Sequence, residues 1–170
     1  MTLLVSPLSQ VDAALRDHRP SHVISLLSPT SPTGHWPLEA PERVALRLAF
    51  HDIIEPRDGL VAPDAALIIR LLDFAEGWDT ARPMLVHCWA GVSRSTAAAF
   101  IVACRRAPVG AEAEIAQALR AAAPYATPNA LMVALADAVL GRNGRMSAAV
   151  AAIGRGADTF EGALFELTLK

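Results

Sequence analysis

Behind Pro83 the chain runs Met84-Leu85-Val86, turns through a loop from Cys88 to Ser93, and enters an alanine-rich stretch from Arg94 to about Arg106. Three consecutive apolar residues bounded by a proline read as a short buried strand. The longer stretch is made of good helix formers. A strand passing through one short loop directly into a helix is a unit of α/β architecture.

The rest of the sequence repeats that alternation. Leu3 to Val5 and His22 to Leu27 read as strands, and Val44, Leu46, Leu48 and Phe50 give Arg43 to Phe50 the two-residue period of another. Ser9 can cap a helix with Val11, Ala14 and Leu15 on one face, ending before Pro20. Pro63 suits the first position of a helix reaching about Gly77, which buries Leu67, Ile68, Leu71, Leu72 and Ala75. Helices near Ala111 to Ala123 and Pro128 to Leu140 come next, then the turn Gly141-Arg142-Asn143-Gly144 and a short helix. The last residues alternate as Ala163, Phe165, Leu167 and Leu169, the pattern of an edge strand or an oligomer contact. No repeat or linker divides the chain. The expectation is one domain over residues 1–170, an α/β fold with a small central sheet flanked by helices, residues 141–170 being an extension packed on the same body. At 170 residues the chain is long enough for one proper core.

Composition narrows the function. A net charge of −2 provides no basic field, so nucleic acid is not an expected partner. The apolar runs Ala97 to Cys104 and Ala130 to Leu140 fall short of the roughly 18 residues a membrane span needs. Asp137 also interrupts the second. The start has no basic segment and its apolar run ends at Pro7, so no secretory signal is expected, and the reading is cytoplasmic. If Ser95 to Cys104 is helical, Cys88 and Cys104 sit more than about 10 Å apart, too far for a disulfide. His18, His22 and His35 show no ligand spacing, and no metal is assigned.

The chemistry lies in His87-Cys88-Trp89-Ala90-Gly91-Val92-Ser93-Arg94-Ser95. Between a strand and a helix start, the N–H groups of Trp89, Ala90, Gly91, Val92 and Ser93 can converge on one point, aided by the positive end of the helix dipole. Gly91 allows backbone that a Cβ would oppose. Arg94 provides a planar fork matched to two phosphate oxygens. Such a field favours the thiolate of Cys88, the nucleophilic form. The Ser95 hydroxyl can donate to that sulfur. Nucleophile and anion cradle therefore coincide, with no cofactor required.

This loop resembles the signature of the protein tyrosine phosphatase superfamily: His-Cys, five residues, Arg, then Ser or Thr. His87, Cys88, Gly91, Arg94 and Ser95 meet every fixed position. The resemblance runs from Leu3 to about Leu140 and includes Pro128-Asn129, similar to the Pro-Asn helix start of dual-specificity phosphatases. Nothing after Gly141 has a counterpart. The resemblance implies a dual-specificity-phosphatase-like fold and a phosphocysteine intermediate. It also implies an upstream aspartate that protonates the leaving oxygen and then activates water. Asp52, just beyond the strand ending at Phe50, fits that place. Glu55, Asp58 and Asp64 lie in the same stretch and remain alternatives. His87 is expected to support the loop.

The implied substrates are phosphotyrosine and phosphoserine or phosphothreonine in proteins. A small-molecule or lipid phosphate stays open, although no lysine stands at positions 89, 90, 92 or 93 to favour an inositol headgroup. A rhodanese-like sulfurtransferase and a non-catalytic phosphate-binding module also stay open. Cys104 is read as a core thiol, His51 as a solvated or locally bonded imidazole, and Trp89 as loop-rim packing or a stacking surface. Trp36 is read either as packed on the core or as flanking the cleft, and Ala123-Pro124-Tyr125 as a turn. Oligomeric state is left undetermined.

Overall fold

A computed structural model describes residues 1–31 and 38–168 of the chain. His35, Trp36 and Leu169 fall outside those residues. In chain order the elements are β1 (Thr2–Pro7), a 3₁₀ turn (Leu8–Gln10), α1 (Val11–His18), β2 (His22–Leu27), β3 (Val44–Ala49), α2 (Ala65–Glu76), β4 (Met84–Cys88), α3 (Arg94–Arg106), α4 (Glu112–Ala122), α5 (Ala130–Val139), α6 (Arg145–Ile153) and β5 (Phe165–Thr168). The α/β fold expected from the alternation is present.

The five strands form one sheet in the order β3-β2-β4-β1-β5. The first four are parallel, and β5 runs antiparallel along β1, pairing Leu3 with Leu167 and Val5 with Phe165. The alternating C-terminal end is therefore an edge strand. Side chains alternate across the sheet. Leu3, Val5, Ile24, Leu26, Met84 and Val86 belong to the main core, which also holds buried residues of α2 to α6. Leu4, Val23 and Leu85 face the other way, onto Val11 and Ala14 of α1. With both faces covered, the strands read as apolar runs rather than clean alternation.

At the centre lies α3, in which every residue from Arg94 to Cys104 is buried. Ala97, Ala98, Ala99 and Ala103 let it pack closely against the sheet and against α2, α4 and α5. Phe100 and Ile101 fill the wider gaps, and truncating Phe100 to alanine would cost about 3–5 kcal/mol.

Two helix starts differ from the sequence reading. The first helix is preceded by a 3₁₀ turn containing Ser9, so its cap position is Gln10 and Ser9 caps nothing. Pro63 lies just outside α2. The cap is Asp64, whose Oδ1 accepts the Leu67 N–H at 2.8 Å. Asp137, which breaks the apolar run of α5, caps α6. Its carboxylate accepts N–H groups of Gly144 (2.6 Å), Met146 (2.7 Å) and Ser147 (3.2 Å). Among the described residues no helix is long and apolar enough to cross a membrane.

Candidate active site

The parallel strands end at one level, and the site is assembled from the segments that leave their carboxyl ends. Ser28 comes after β2, Phe50 to Asp52 after β3, and the loop from Cys88 to Ser93 after β4. Together with Thr30, Ser31, Thr159 and Phe160, residues of these segments line a cleft of about 610 Å³.

The loop is shaped by its carbonyls, which are tied outward. Trp89 O accepts the Leu8 N–H (3.0 Å), Ala90 O the Gly162 N–H (2.8 Å), Val92 O the Thr127 N–H (2.9 Å) and Ser93 O the N–H groups of Ala97 (2.9 Å) and Asn129 (3.3 Å). Thr96 Oγ1 reaches back to Val92 O (2.6 Å) and Ser93 O (2.9 Å). Carbonyls held outward turn peptide N–H groups inward, and the Gly91 N–H lies 3.3 Å from Cys88 Sγ. Gly91 has φ +71°, and a Cβ there would come within 2.6 Å of Pro7 N and 2.9 Å of Ser6 C. Both the conformation and the contact with β1 thus require glycine.

Cys88 is buried at the floor of the cleft, with Ser95 Oγ 3.1 Å from its sulfur. The side chain of Arg94 folds beneath the loop, where Nη1 donates to Phe50 O (2.9 Å) and Ser28 Oγ (3.3 Å) and the guanidinium lies over the Phe50 ring at 5.8 Å. Its Nε is buried and makes no hydrogen bond among the described residues, and the nearest carboxylate oxygen, Asp52 Oδ2, is 3.8 Å away. A buried donor on a charged group is costly without an acceptor, and Arg94 lines the same cleft as the thiol, which makes this cleft a candidate anion site.

Asp52 faces the loop. Its Oδ1 accepts from Ser93 Oγ (2.7 Å) and from Asn129 Nδ2 (2.8 Å), and Asn129 in turn caps α5 by accepting the Met132 N–H at 3.0 Å. Glu55 and Asp58 are exposed and do not line the cleft, and Asp64 is the cap of α2. His51 also borders the cleft, but its Nδ1 accepts the Val61 N–H at 2.9 Å, so it is the locally bonded imidazole expected. His87 sits in register between Ser6 and Ser25 in the sheet. Burial pushes its imidazole down to about 4, against the effect of a backbone hydrogen bond at Cys88. It is therefore neutral near pH 7. Trp89 is half exposed and lines the cleft. Among the described residues no group of His, Cys, Asp and Glu is placed to hold a metal ion.

Four contributing residues are not evident in the sequence. Asn129 reads there only as part of a helix start, although it ties Asp52 to the loop. Thr159 and Phe160 come from the segment after α6, which is drawn to the cleft by the Gly162 bond to Ala90 O. Tyr125, which reads as part of a turn, holds the same segment by donating to Ala163 O (2.7 Å) and accepting the Ala163 N–H (2.8 Å).

Among solved structures the chain is similar to DUSP15, with a TM-score of 0.60 over 86 % of this chain and 89 % of that one, at 19 % identity. The fold is that of a dual-specificity phosphatase. The Orf virus protein OH1, a tyrosine phosphatase with triple substrate specificity, is also similar, with a TM-score of 0.46 and 18 % identity over 91 % of this chain and 73 % of that one. Comparison with family models and with curated proteins gives no match. In this dual-specificity phosphatase fold the cleft opens at the carboxyl ends of the parallel strands, where ligands of open α/β sheets bind.

Proposed function

We propose that this protein hydrolyses phosphate monoesters through a phosphocysteine intermediate, with phosphotyrosine and phosphoserine or phosphothreonine proteins as substrates. The observation that carries the reading is the pairing of a buried thiol with a buried guanidinium Nε that makes no hydrogen bond among the described residues. The dual-specificity phosphatase fold supports it.

In this reading three phosphoryl oxygens sit against Arg94 and the N–H groups of residues 89–93, which stabilise the charge of the transition state. Cys88 Sγ attacks phosphorus as the thiolate. The S–P bond forms, the bond from phosphorus to the leaving oxygen breaks, and Asp52 delivers a proton to that oxygen. Since Oδ1 already accepts two hydrogen bonds, the proton travels on Oδ2. The resulting carboxylate takes a proton from water, whose oxygen attacks phosphorus. The S–P bond then breaks, phosphate leaves, and the Ser95 hydroxyl stabilises the departing thiolate. His87, neutral and buried, supports the strand end and exchanges no proton.

The test is one purified sample assayed on an aryl phosphate, phosphotyrosine and phosphoserine peptides, phosphoinositides and small metabolite phosphates. Turnover should be inhibited by vanadate and insensitive to a chelator, and rapid acid quench should trap phosphate on Cys88. Sulfur release from thiosulfate without phosphate release would replace the reading by sulfur transfer. Tight phosphopeptide binding without turnover would replace it by a binding module.

A further inference from the structure

Beside the cleft lies a second hollow. Leu8, Trp89, Ala90 and Phe160 line an apolar annex of about 280 Å³, with Ser9 and Glu161 at its rim. Trp89, Ala90 and Phe160 also border the main cleft, so the two hollows adjoin. Phe160 is 93 % exposed and Trp89 is 50 % exposed. A single exposed aromatic ring needs no explanation. This one, however, stands on a segment anchored along its length. Ala157 N–H is bound by Pro124 O (3.0 Å), Gly162 N–H by Ala90 O (2.8 Å), Leu164 N–H by Gln10 Oε1 (2.7 Å), and Ser9 Oγ is bonded to Glu161. Gly162 packs so closely on Tyr125 that a Cβ there would meet the ring at 2.5 Å. The segment is set in place before any ligand arrives, so little ordering cost attends binding against it.

We propose that this annex binds one large apolar side chain adjacent to the phosphorylated residue of a peptide substrate, with Phe160 and Trp89 as the residues that determine this preference. The proposal rests on the phosphatase reading of the cleft. The volume of about 280 Å³ suits a single large side chain. Charge points the same way. Among the described residues lining either hollow, Arg94 is the only Lys or Arg, and it is occupied with phosphate, whereas Glu161 and Asp52 stand at the edges. An acidic neighbour would be repelled and an apolar one would cover two rings.

The experiment compares phosphotyrosine peptides that differ only in the residues flanking the phosphotyrosine, as Leu, Phe, Ala or Glu. Each is assayed for kcat/KM on the wild type and for affinity to the Cys88→Ser protein. Leu and Phe should exceed Ala by on the order of tenfold to a hundredfold, mainly through KM, with Glu lowest. In Phe160→Ala and Trp89→Ala that ratio should shrink to within about twofold. Equal values for all four peptides, or a preference that survives in both variants, would overturn the annex. So would dodecyl phosphate being preferred over every peptide, which would place a lipid there. Turnover of an aryl phosphate with no flanking preference sinks the annex alone, while no turnover of any ester sinks the phosphatase reading and the annex with it.

Discussion

The two cysteines of this chain lie at opposite ends of one helix, and both are buried. Cys104 occupies the last turn of α3. Burial pushes its thiol up to about 12, helped by the Glu112 carboxylate and opposed by Arg142. Arg142 closes that end of the helix, pairing with Glu112 at 2.8 Å and donating to Cys104 O and Ala107 O (3.0 Å). Cys88 sits before the first turn, where a hydroxyl, a peptide N–H and the positive end of the helix dipole face the sulfur. Exposure does not distinguish them, at 1 % for Cys88 and 0 % for Cys104. The groups around the sulfur do, together with the cleft that reaches one thiol and not the other.

The widest separation should come from replacing each in turn. Cys88→Ser is expected to abolish aryl phosphate hydrolysis and leave inorganic phosphate affinity within about tenfold, since the cradle and Arg94 persist. Cys104→Ser should keep kcat/KM and lose about 1–3 kcal/mol in denaturant unfolding, the cost of burying a hydroxyl. A folded Cys104→Ser protein without activity would break the comparison. Asp52→Asn comes next. It should slow hydrolysis of an alkyl or tyrosyl phosphate by about 10²–10⁴-fold, yet affect an ester of an acidic phenol far less. If Asp58→Asn shows this pattern and Asp52→Asn does not, the acid is on the exposed loop. Arg94→Lys should lower kcat/KM by about a hundredfold, because an ammonium cannot reproduce the guanidinium fork, and an unchanged rate would detach Arg94 from the site.

His87 bears on stability and not on turnover. Its folded value of about 4 lies below the usual 6.5, so the unfolded chain binds the extra proton first as pH falls. Stability fully present above pH 6.5 should decline through the window down to about 4 by on the order of 3 kcal/mol. Thermal melts across that window should show the decline, and His87→Asn should flatten it.

Much of this was legible in the sequence because periodicity and turn chemistry are local. The bounds of α3, the strand before the loop and the glycine at position 91 were readable for that reason. That Asp52 and not Asp58 borders the cleft was readable only through its place beyond a strand. The C-terminal wall of the cleft was not readable. Residues 154–164 have no periodicity, and their decisive bond, Gly162 N–H to Ala90 O, joins two backbones and so leaves no side-chain signature. Asn129 escaped for a different reason. One amide caps a helix with its oxygen and holds a distant carboxylate with its nitrogen, and only the first use is visible along the chain.

The site draws on residues beyond the ends of three separate parallel strands and on the start of α5, so no short fragment of the chain contains it. Phosphate has nothing to bind in the unfolded ensemble. Saturating oxyanion should therefore raise stability by the full mass-action amount, about 2.7 kcal/mol at one hundred times its dissociation constant. It should do so through the unfolding rate more than the folding rate. The site needs parallel pairings such as that of Ile24 with Val86, far apart in sequence, and contacts of that range are slow to form. Oxyanion binding thus reports whether β2, β3 and β4 have been brought together.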